Sequence, residues 1–442
     1  MPNPTASNRY SITDVTVIDV EAGKAIPGQT VKIVGDRIDQ VAPPGGPDVP
    51  ERTRTIEGRG LYLMPSLVDA HVHYLDAPVF GRLMLANGVL LVRDMGMPNE
   101  YILPLRDALN RGEILGPEIV TTGAILDGNP PLIPLISQGI STPEEGRLAV
   151  CKQAEADVDL IKVYSRLDRE VFLAIVDEAR QCGLKAVGHI PESVSLEDAM
   201  AVGLASSEHF FGFEKAIASL LGEPVSYTFA GMGSQAGNFQ RLDQVQDQDL
   251  RGLYHRIHAS NMAVCPTIIT FNVLTRIKEF QTGKFERREY ISPMVMGIWE
   301  SQWAQQDALP EFIWQNWAQM VRGLHQAGVP LMVGTDLMLP GIFPGYAVHE
   351  EMALWQQAGI PPADVLRSAT IRPTQFMGLD ERLGSVSEGK TASLVLVRAN
   401  PLEDVRNAQQ IESVFLRGRY FNRKDLVRLL EEAKQAAQPP VS

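Results

Sequence analysis

Residues 61–73 read LYLMPSLVDAHVH, an apolar run that ends in two histidines. Such a run is typical of a strand buried on both faces. His71 and His73 stand two positions apart, so on a strand both imidazoles point to one side and can reach one cation. By itself the pair is a weak signal, because a three-letter motif of this kind is a structural or surface feature about half of the time. Its meaning depends on the rest of the chain.

Further apolar runs follow, separated by stretches of helical periodicity, which is typical of parallel βαβ units. The eight predicted strands are 63–73, 89–94, 118–124, 159–164, 185–190, 205–209, 262–267 and 330–336. Between them, stretches such as REVFLAIVDEARQCG at 169–183 have apolar residues spaced by three and four and end in glycine. We predict an α/β fold, a (β/α)8 TIM barrel, because eight such repeats suit a closed barrel better than an open sheet.

The two ends of the chain have a different pattern. Residues 11–63 contain short β segments separated by turns, and a similar pattern returns after Leu383, followed by helical periodicity at 423–437. We predict that the ends pair into a small β-sandwich domain. The predicted division is 1–63 for its N-terminal part, 64–380 for the barrel, and 381–442 for its C-terminal part with a terminal helix.

Length and charge limit the classes of function. A chain of 442 residues suits a large barrel with an accessory domain. The net charge of −13 argues against nucleic acid and anionic membranes as partners, because phosphates would be repelled. No export or membrane-spanning segment is visible, and the three cysteines lack C-x-x-C spacing. We expect a cytoplasmic homo-oligomer that acts on a small molecule.

One potential metal ligand stands at the end of each of four later strands. These residues are Lys162 in DLIKVY, His189 in AVGHI, His209 in SSEHF and Asp336 in LMVGTD. Because the carboxyl ends of barrel strands meet at one rim, we expect them to converge with His71 and His73.

In this order of motifs the chain resembles the amidohydrolase superfamily. The likeness extends over LYLMPSLVDAHVH, VRDMG, IKVY, GHIP, EHF, GTD and the tail SATIRPTQFMGLDERLGSVSEGKTASLVLVRANPLEDV. Within it the chain is most similar to metal-dependent prolidases and imidazolonepropionase-like amidohydrolases, and it also resembles ochratoxin-type amidases. The resemblance implies that Lys162 is carboxylated by CO2, since an ammonium has no lone pair for a cation. The structural alternative is a lysine paired with Asp159 or Glu155.

The resemblance implies a binuclear site with two divalent cations, for which zinc is the expected metal. His71, His73 and Asp336 would hold one ion, His189 and His209 the other, and carboxylated Lys162 would bridge them. A shared hydroxide would attack the substrate, with Asp336 as the catalytic proton shuttle. The predicted reaction is hydrolysis of an amide-type C–N bond in an N-acyl amino acid, a dipeptide or a related small amide.

The residues that would bind substrate are less constrained by the pattern. We predict Tyr164, Arg166, Asn129 and Tyr346, which follow strands at the barrel mouth. A local ion pair of Arg166 with Asp168 or Glu170 is an equal alternative. Two long intervals, 212–249 and 271–318, would lie at the mouth. The second is rich in tryptophan, which suggests an apolar or aromatic substrate unless those rings only pack helices together.

Three other functions remain open. The same site could hydrolyse a urea, carbamate, lactam or lactone. A mononuclear deaminase would use Glu192, which stands three residues after His189 in HIPE, as its proton shuttle. A scaffold protein that kept the fold and lost its chemistry is the third alternative, and it predicts missing ligands.

Overall fold

The computed structural model describes residues 9–43, 53–225, 241–283, 285–303 and 307–438. Within these residues the chain forms short strands, most of them four to six residues long. They are β1 (Arg9–Asp19), β2 (Lys24–Val34), β3 (Arg37–Ala42), β4 (Arg54–Glu57), β5 (Tyr62–Pro65), β6 (Leu67–Val72), β7 (Val89–Asp94), β8 (Glu118–Thr121), β9 (Ile125–Gly128), β10 (Ser137–Ile140), β11 (Leu160–Val163), β12 (Lys185–Gly188), β13 (Ser206–Glu208), β14 (Ala263–Cys265), β15 (Leu394–Val397), β16 (Ile411–Leu416) and β17 (Arg419–Asn422).

Helices alternate with the strands in the middle of the chain. They are α1 (Ala77–Ala86), α2 (Asn99–Asn110), α3 (Pro143–Glu155), α4 (Arg169–Gln181), α5 (Leu196–Val202), α6 (Phe213–Leu220), α7 (Asp247–Ala259), α8 (Ile268–Thr275), α9 (Ile277–Gln281), α10 (Pro293–Trp303), α11 (Phe312–Gln326), α12 (Tyr346–Gln357), α13 (Pro362–Ser368), α14 (Ile371–Phe376) and α15 (Arg423–Ala437). Among the described residues, none of these helices has the length and apolar character needed to cross a bilayer.

The middle strands form two parallel sheets. One has the order β10-β9-β11-β12-β13-β14 and the other the order β6-β7-β8. Most of these strands are buried along their whole length, which is why they read as continuous apolar runs. The α/β class is therefore confirmed. The two sheets are separate, so the closed barrel stays a prediction.

The predicted eighth strand at 330–336 is wrong in its regularity. The structure has isolated bridges at Leu331 and Leu337 instead of a continuous strand. This segment still lies between the two sheets, because Val264 N–H donates to Pro330 O (2.9 Å) and Ala70 N–H donates to Val333 O (2.9 Å).

The predicted first strand, 63–73, is split into β5 and β6. β5 pairs with β15 in a different sheet, whereas β6 pairs in parallel with β7. Pro65 has no N–H to continue a ladder, and Ser66 N–H donates to Ser393 O (3.0 Å). One extended segment therefore belongs to two sheets.

The chain ends meet in one eight-stranded sheet. Its order is β17-β16-β15-β5-β1-β2-β3, with β4 beside β1. Apolar side chains from both ends form its core, among them Ile12, Val31, Leu394 and Phe415. Helix α15 begins and ends where the periodicity predicts. A sandwich of two facing sheets and the predicted domain boundaries stay predictions.

Helices joined by turns make up the described parts of the two predicted long intervals. Residues 226–240 of the first lie outside the described residues. In the second, Trp299 and Trp317 are buried, and Trp299 Nε1–H donates to Met338 O (3.0 Å). Trp299 therefore packs its helix against the chain that follows Asp336, and Trp317 packs against Phe210 and Phe271. Both rings pack parts of the fold together, as the alternative interpretation of the tryptophans supposed.

Candidate metal centre

Four histidines from three strands converge at the carboxyl ends of the parallel strands: His71 and His73 at the end of β6, His189 after β12 and His209 after β13. The ring centroids of His71 and His209 lie 4.4 Å apart, those of His71 and His73 5.7 Å, and those of His189 and His209 5.2 Å. The structure thus brings together all four histidines that the sequence motifs singled out.

Asp336 completes one side of this cluster. Its Oδ1 lies 3.4 Å from His71 Nε2 and 3.6 Å from His73 Nε2, and its Oδ2 lies 3.8 Å from His209 Nε2. The backbone that delivers this carboxylate is unusual: Asp336 has a φ of 57°, and a Cβ at Gly334 would stand 2.8 Å from His71 N. Close approach and a left-handed residue interrupt the extended chain, which explains the missing eighth strand.

Lys162 lies buried within the same cluster. Its charge contributes to lowering the pKa of each of the four imidazoles. Space for it comes from Gly188, where a Cβ would lie 3.0 Å from Lys162 Cδ and the φ is 136°. The alternative partner Asp159 instead accepts from Thr121 N–H (2.8 Å) and lies 3.5 Å from Arg106 Nη1. Lys162 therefore belongs to the histidine cluster.

His71 and His73 are oriented by groups that only accept hydrogen bonds. His71 Nδ1 lies 2.8 Å from Glu208 Oε2, and His73 Nδ1 lies 2.8 Å from Gly96 O. A carboxylate and a carbonyl require Nδ1–H as the donor, so the lone pair is on Nε2. His71 Nε2 is buried and has no hydrogen-bond partner among the described residues. A buried, unpartnered lone pair beside a carboxylate fits a metal ligand.

His189 and His209 are oriented by hydroxyl groups. His189 Nδ1 lies 2.8 Å from Ser165 Oγ, and His209 Nδ1 lies 2.6 Å from Thr267 Oγ1. A hydroxyl both donates and accepts, so it supports either tautomer. In addition, the His189 ring stacks on the rings of Tyr164 and Phe211, whose centroids lie 4.1 Å and 3.8 Å from its own.

Sequence reasoning missed a buried pair behind His71. Arg93 Nη2 donates to both carboxylate oxygens of Glu208 (3.0 and 2.9 Å), and Arg93 Nε donates to Ala70 O (2.6 Å). Ser206 Oγ–H also donates to Glu208 Oε1 (2.6 Å). The available signal was a charge inside each of two predicted buried strands, since buried charges need partners. Glu208 therefore holds His71 and is itself held.

Burial shifts the pKa of the four histidines, of Asp336 and of Lys162. Desolvation lowers the pKa of His73 to about 4 and holds the pKa values of His71, His189 and His209 well below the ordinary range. It also raises the pKa of Asp336 to about 7 and lowers the pKa of Lys162 to about 8, although Glu208 and Asp336 oppose that second change. The imidazoles are neutral near pH 7, as metal ligands must be.

The donor set fits divalent cations. Ligand atoms of His71, His73 and Asp336 lie within 4.8 Å of one another. Neutral imidazole nitrogens with a carboxylate are the ligands that zinc and related ions take at catalytic sites.

The predicted substrate residues are divided. Tyr164 stacks on His189 and so belongs to the cluster. Arg166 and Asn129 lie near each other after β11 and β9, where Arg166 Nη1 donates to Pro130 O (3.0 Å) and Asn129 Nδ2 donates to Ser141 Oγ (3.1 Å). Tyr346 instead stacks under Arg287, whose Cζ lies 4.3 Å from the ring centroid. The roles of all four stay predictions.

Glu192, the shuttle of the alternative deaminase, has a different environment. Its Oε2 lies 3.3 Å from Lys215 Nζ, and both side chains are buried. Lys215 Nζ also donates to Pro191 O (3.0 Å). This ion pair ties Glu192 to α6.

Comparison with known proteins identifies relatives by sequence. The Amidohydrolase family model matches residues 309–420. An adenine deaminase of Rubrobacter xylanophilus is 33% identical over 81 residues, which are 17% of this chain and 13% of that protein. The chain thus matches only about an eighth of the length of that relative. An ochratoxinase of Aspergillus niger is 22% identical over 93% of this chain and 89% of its own length.

Several solved structures share the fold over nearly the whole length of this chain. Bottromycin amidohydrolase has a TM-score of 0.76 at 22% identity, covering 98% of this chain and 92% of its own. A prolidase complexed with N-methylphosphonate-L-proline has a TM-score of 0.68 at 20% identity, and the match covers 94% of this chain and 100% of that protein. Phenylurea hydrolase B has a TM-score of 0.67 at 21% identity, and the match covers 95% of this chain and 98% of that protein. At these identities the likeness establishes the fold.

Proposed function

We propose that this chain, which carries an Amidohydrolase family domain, is a metal-dependent hydrolase of an amide-type C–N bond in a small molecule. The observation that carries the proposal is the buried lone pair of His71 Nε2, unpartnered among the described residues and 3.4 Å from Asp336 Oδ1. Three more imidazoles and Lys162 surround it. We place the centre at the rim of a closed (β/α)8 barrel.

Two divalent cations, for which we propose zinc, would occupy the cluster. His71, His73 and Asp336 would hold one ion, and His189 and His209 the other. When bound, such ions lower the pKa of water and polarise a carbonyl group, which makes hydrolysis possible without a covalent enzyme intermediate.

Lys162 would join the two halves as a carbamate. Its neutral amine attacks the carbon of CO2, an N–C bond forms, and one proton leaves the nitrogen, so that an anionic group with two oxygens results. Burial favours this reaction because it lowers the pKa of Lys162 to about 8 and thus raises the fraction of neutral amine.

Asp336 would move the proton of the reaction. Its carboxylate lies at the centre of the cluster, and burial raises its pKa to about 7, which suits a group that must accept and release a proton near neutral pH. It would take a proton from the attacking water and give it to the leaving nitrogen.

The proposed substrate is an N-acyl amino acid, a dipeptide or a related small amide with an apolar or aromatic part. Tyr164 and Phe211, whose buried rings stack on His189, make the surroundings of the cluster aromatic. Similarity to ochratoxinase over 93% of the chain and the shared fold with a prolidase support this choice. The net charge of −13 favours a neutral or zwitterionic molecule, and therefore a dipeptide over an anionic N-acyl amino acid.

Two alternatives remain as outcomes of the test. The fold is shared with phenylurea hydrolase B, so urea and carbamate substrates are included, as are lactams and lactones. Deamination by Glu192 is less favoured, because its carboxylate pairs with buried Lys215.

The test is a substrate screen with protein loaded with zinc, manganese or cobalt in bicarbonate buffer. Dipeptides and N-acyl amino acids are compared with phenylureas, carbamates and lactones, and products are identified by mass spectrometry. We expect the dipeptide and N-acyl group to be cleaved by metal-loaded protein and not by protein stripped with a chelator.

Two results would contradict the proposal. Release of ammonia from heterocyclic amines alone would favour the deaminase. Protein that binds no divalent metal and hydrolyses none of these compounds would favour the scaffold.

A further inference from the structure

A second cluster of metal-ligating side chains lies away from the histidines. Cys151 is on α3, Glu178 is on α4, and Cys182 directly follows α4. In parallel βαβ units the helix returns to the amino end of the next strand, so the end of α4 lies opposite the carboxyl ends of the strands where the imidazoles meet. The cluster is therefore separate from the proposed catalytic site.

Helix packing brings its three members together. A Cβ at Gly146 on α3 would stand 2.9 Å from Ile175 Cγ1 on α4, so the missing side chain lets the two helices approach closely. Cys151 Sγ lies 3.6 Å from Glu178 Oε1. The two sulfur atoms and a carboxylate oxygen all lie within 4.8 Å of one another.

These separations suit a tetrahedral ion. Ligand atoms about 2.3 Å from a zinc ion stand about 3.8 Å apart. Both thiols are partly exposed, so an ion can enter and water can complete the coordination. Two soft sulfur ligands select zinc, cadmium and similar ions over magnesium and calcium.

We propose that Cys151, Glu178 and Cys182 form a binding site for one thiophilic divalent cation, Zn²⁺ or Cd²⁺, in addition to the ions of the histidine cluster. On binding, two S–H protons are released to solvent and two metal–sulfur bonds form. No oxidant is required, because the sulfur atoms keep their oxidation state.

The neighbouring Arg147 makes the proposal sharper. Arg147 Nη1 lies 3.3 Å from Glu178 Oε2 and 3.5 Å from Asp177 Oδ2. Its positive charge opposes a cation at Glu178 and competes for the carboxylate. Arg147→Gln should therefore tighten metal binding, an effect that a purely structural pair of thiols would not produce.

The test is a titration of reduced, full-length protein with Cd²⁺, followed by the ultraviolet charge-transfer absorption of thiolate bound to Cd²⁺. Histidine and carboxylate ligands do not give this band, and the contribution of Cys265, which lies beside His71 and Glu208, is tested separately. We expect a band that saturates at one Cd²⁺ per chain, is reversed by competing Zn²⁺, and is lost in Cys151→Ser and in Cys182→Ser. Glu178→Gln should weaken Cd²⁺ binding at least about tenfold.

Cys265→Ser is the matched control, because Cys265 is buried beside His71 and Glu208 and lies outside the proposed site. The band should persist in this variant and disappear in the double variant Cys151→Ser/Cys182→Ser, whose hydrolytic activity should equal that of the unaltered chain. A band that depends on Cys265, or the absence of any band in reduced protein with a normal circular dichroism spectrum, would overturn the proposal.

Discussion

The two halves of the histidine cluster are held in different ways. On one side, the partners of His71 and His73 are a carboxylate and a carbonyl, which fix the position of the proton and leave Nε2 as the acceptor. On the other side, the partners of His189 and His209 are hydroxyls, which fit either tautomer. In the first half, Nε2 of both rings is therefore free of its proton and available to a cation, whereas in the second half either ring nitrogen can carry the proton.

Charge deepens this difference. Behind His71 stands Glu208, paired with Arg93 in a fully buried ion pair, whereas aromatic rings flank His189. Asp336 also lies nearer to His71 and His73 than to His209. We therefore expect the ion at His71, His73 and Asp336 to bind more tightly than the ion at His189 and His209.

The largest effect is expected from removing the link between the halves. Lys162→Ala should lower kcat/KM by at least about 10³-fold, because two cooperating cations are worth several kcal/mol. Metal analysis by mass spectrometry should show a fall from two ions per chain to one. Lys424→Ala, on the exposed first turn of α15, is the control and should keep both ions. Retention of two ions without Lys162 would remove the proposed bridge.

Replacement of the proton carrier should rank next. Asp336→Asn should lower kcat by about 10² to 10³-fold, in the range of general acid–base catalysis. The loss should be larger than the change in KM, as steady-state kinetics on the best substrate would measure. If the variant keeps half of the activity, another group moves the proton.

The buried pair behind His71 allows the comparison itself to be tested. Glu208→Gln removes the charge that orients His71, so we expect metal affinity to fall about 10 to 100-fold, measured by competition with a coloured chelator. Glu118→Gln, which alters an ion pair with Arg382 at a distance from the histidines, is the matched control. Equal effects of the two substitutions would mean that Glu208 acts only on stability.

Lowering the pH should weaken binding of the ion at His71, His73 and Asp336 more than binding of the other ion. Because burial raises the pKa of Asp336 to about 7, a proton competes with the cation below that pH. The histidines, whose pKa values are lowered, are already neutral and add little. Affinity for the first ion should rise about tenfold between about pH 6 and about pH 8. Titrations at a series of pH values measure this, and a slope that persists in Asp336→Asn would contradict it.

The smallest effect is expected at a hydroxyl partner. Thr267→Val keeps the shape of the side chain and removes the hydrogen bond to His209, which is worth about 1 kcal/mol, so affinity for the second ion should fall about fivefold. Thr267→Ser restores the hydroxyl and should restore the affinity. A loss as large as that of Glu208→Gln would erase the proposed difference between the halves.

The members of the cluster could be predicted from sequence because each stands at or near the end of a predicted strand. Strand ends are visible in the pattern, and parallel strands bring their carboxyl ends to one rim. The groups behind the histidines could not be predicted in the same way. Arg93 and Glu208 are 115 positions apart, and nothing in either strand says that their side chains meet.

The fold was predictable in its strands and less so in its irregularities. β7 has the predicted bounds, and the other strands are shorter than predicted. The segment 330–336 has a strand-like pattern, but the close contact at Gly334 and the left-handed Asp336 prevent regular pairing. Tertiary contact overrides local pattern at the place where a ligand has to be delivered.

The division of one extended segment between two sheets has a mechanical consequence. β5 lies between β1 from the beginning of the chain and β15 from its end, and β6, which carries His71, continues directly from it. Strands from both ends of the chain thus hold β5 in place, and through it they fix the position of β6 and of His71. Removing β1 or β15 would leave β5 without one of its neighbours and would make the position of His71 less well fixed. Tags and fusion partners should therefore be attached outside the terminal sheet. For the same reason, the central region alone is unsuited to use as a smaller catalyst.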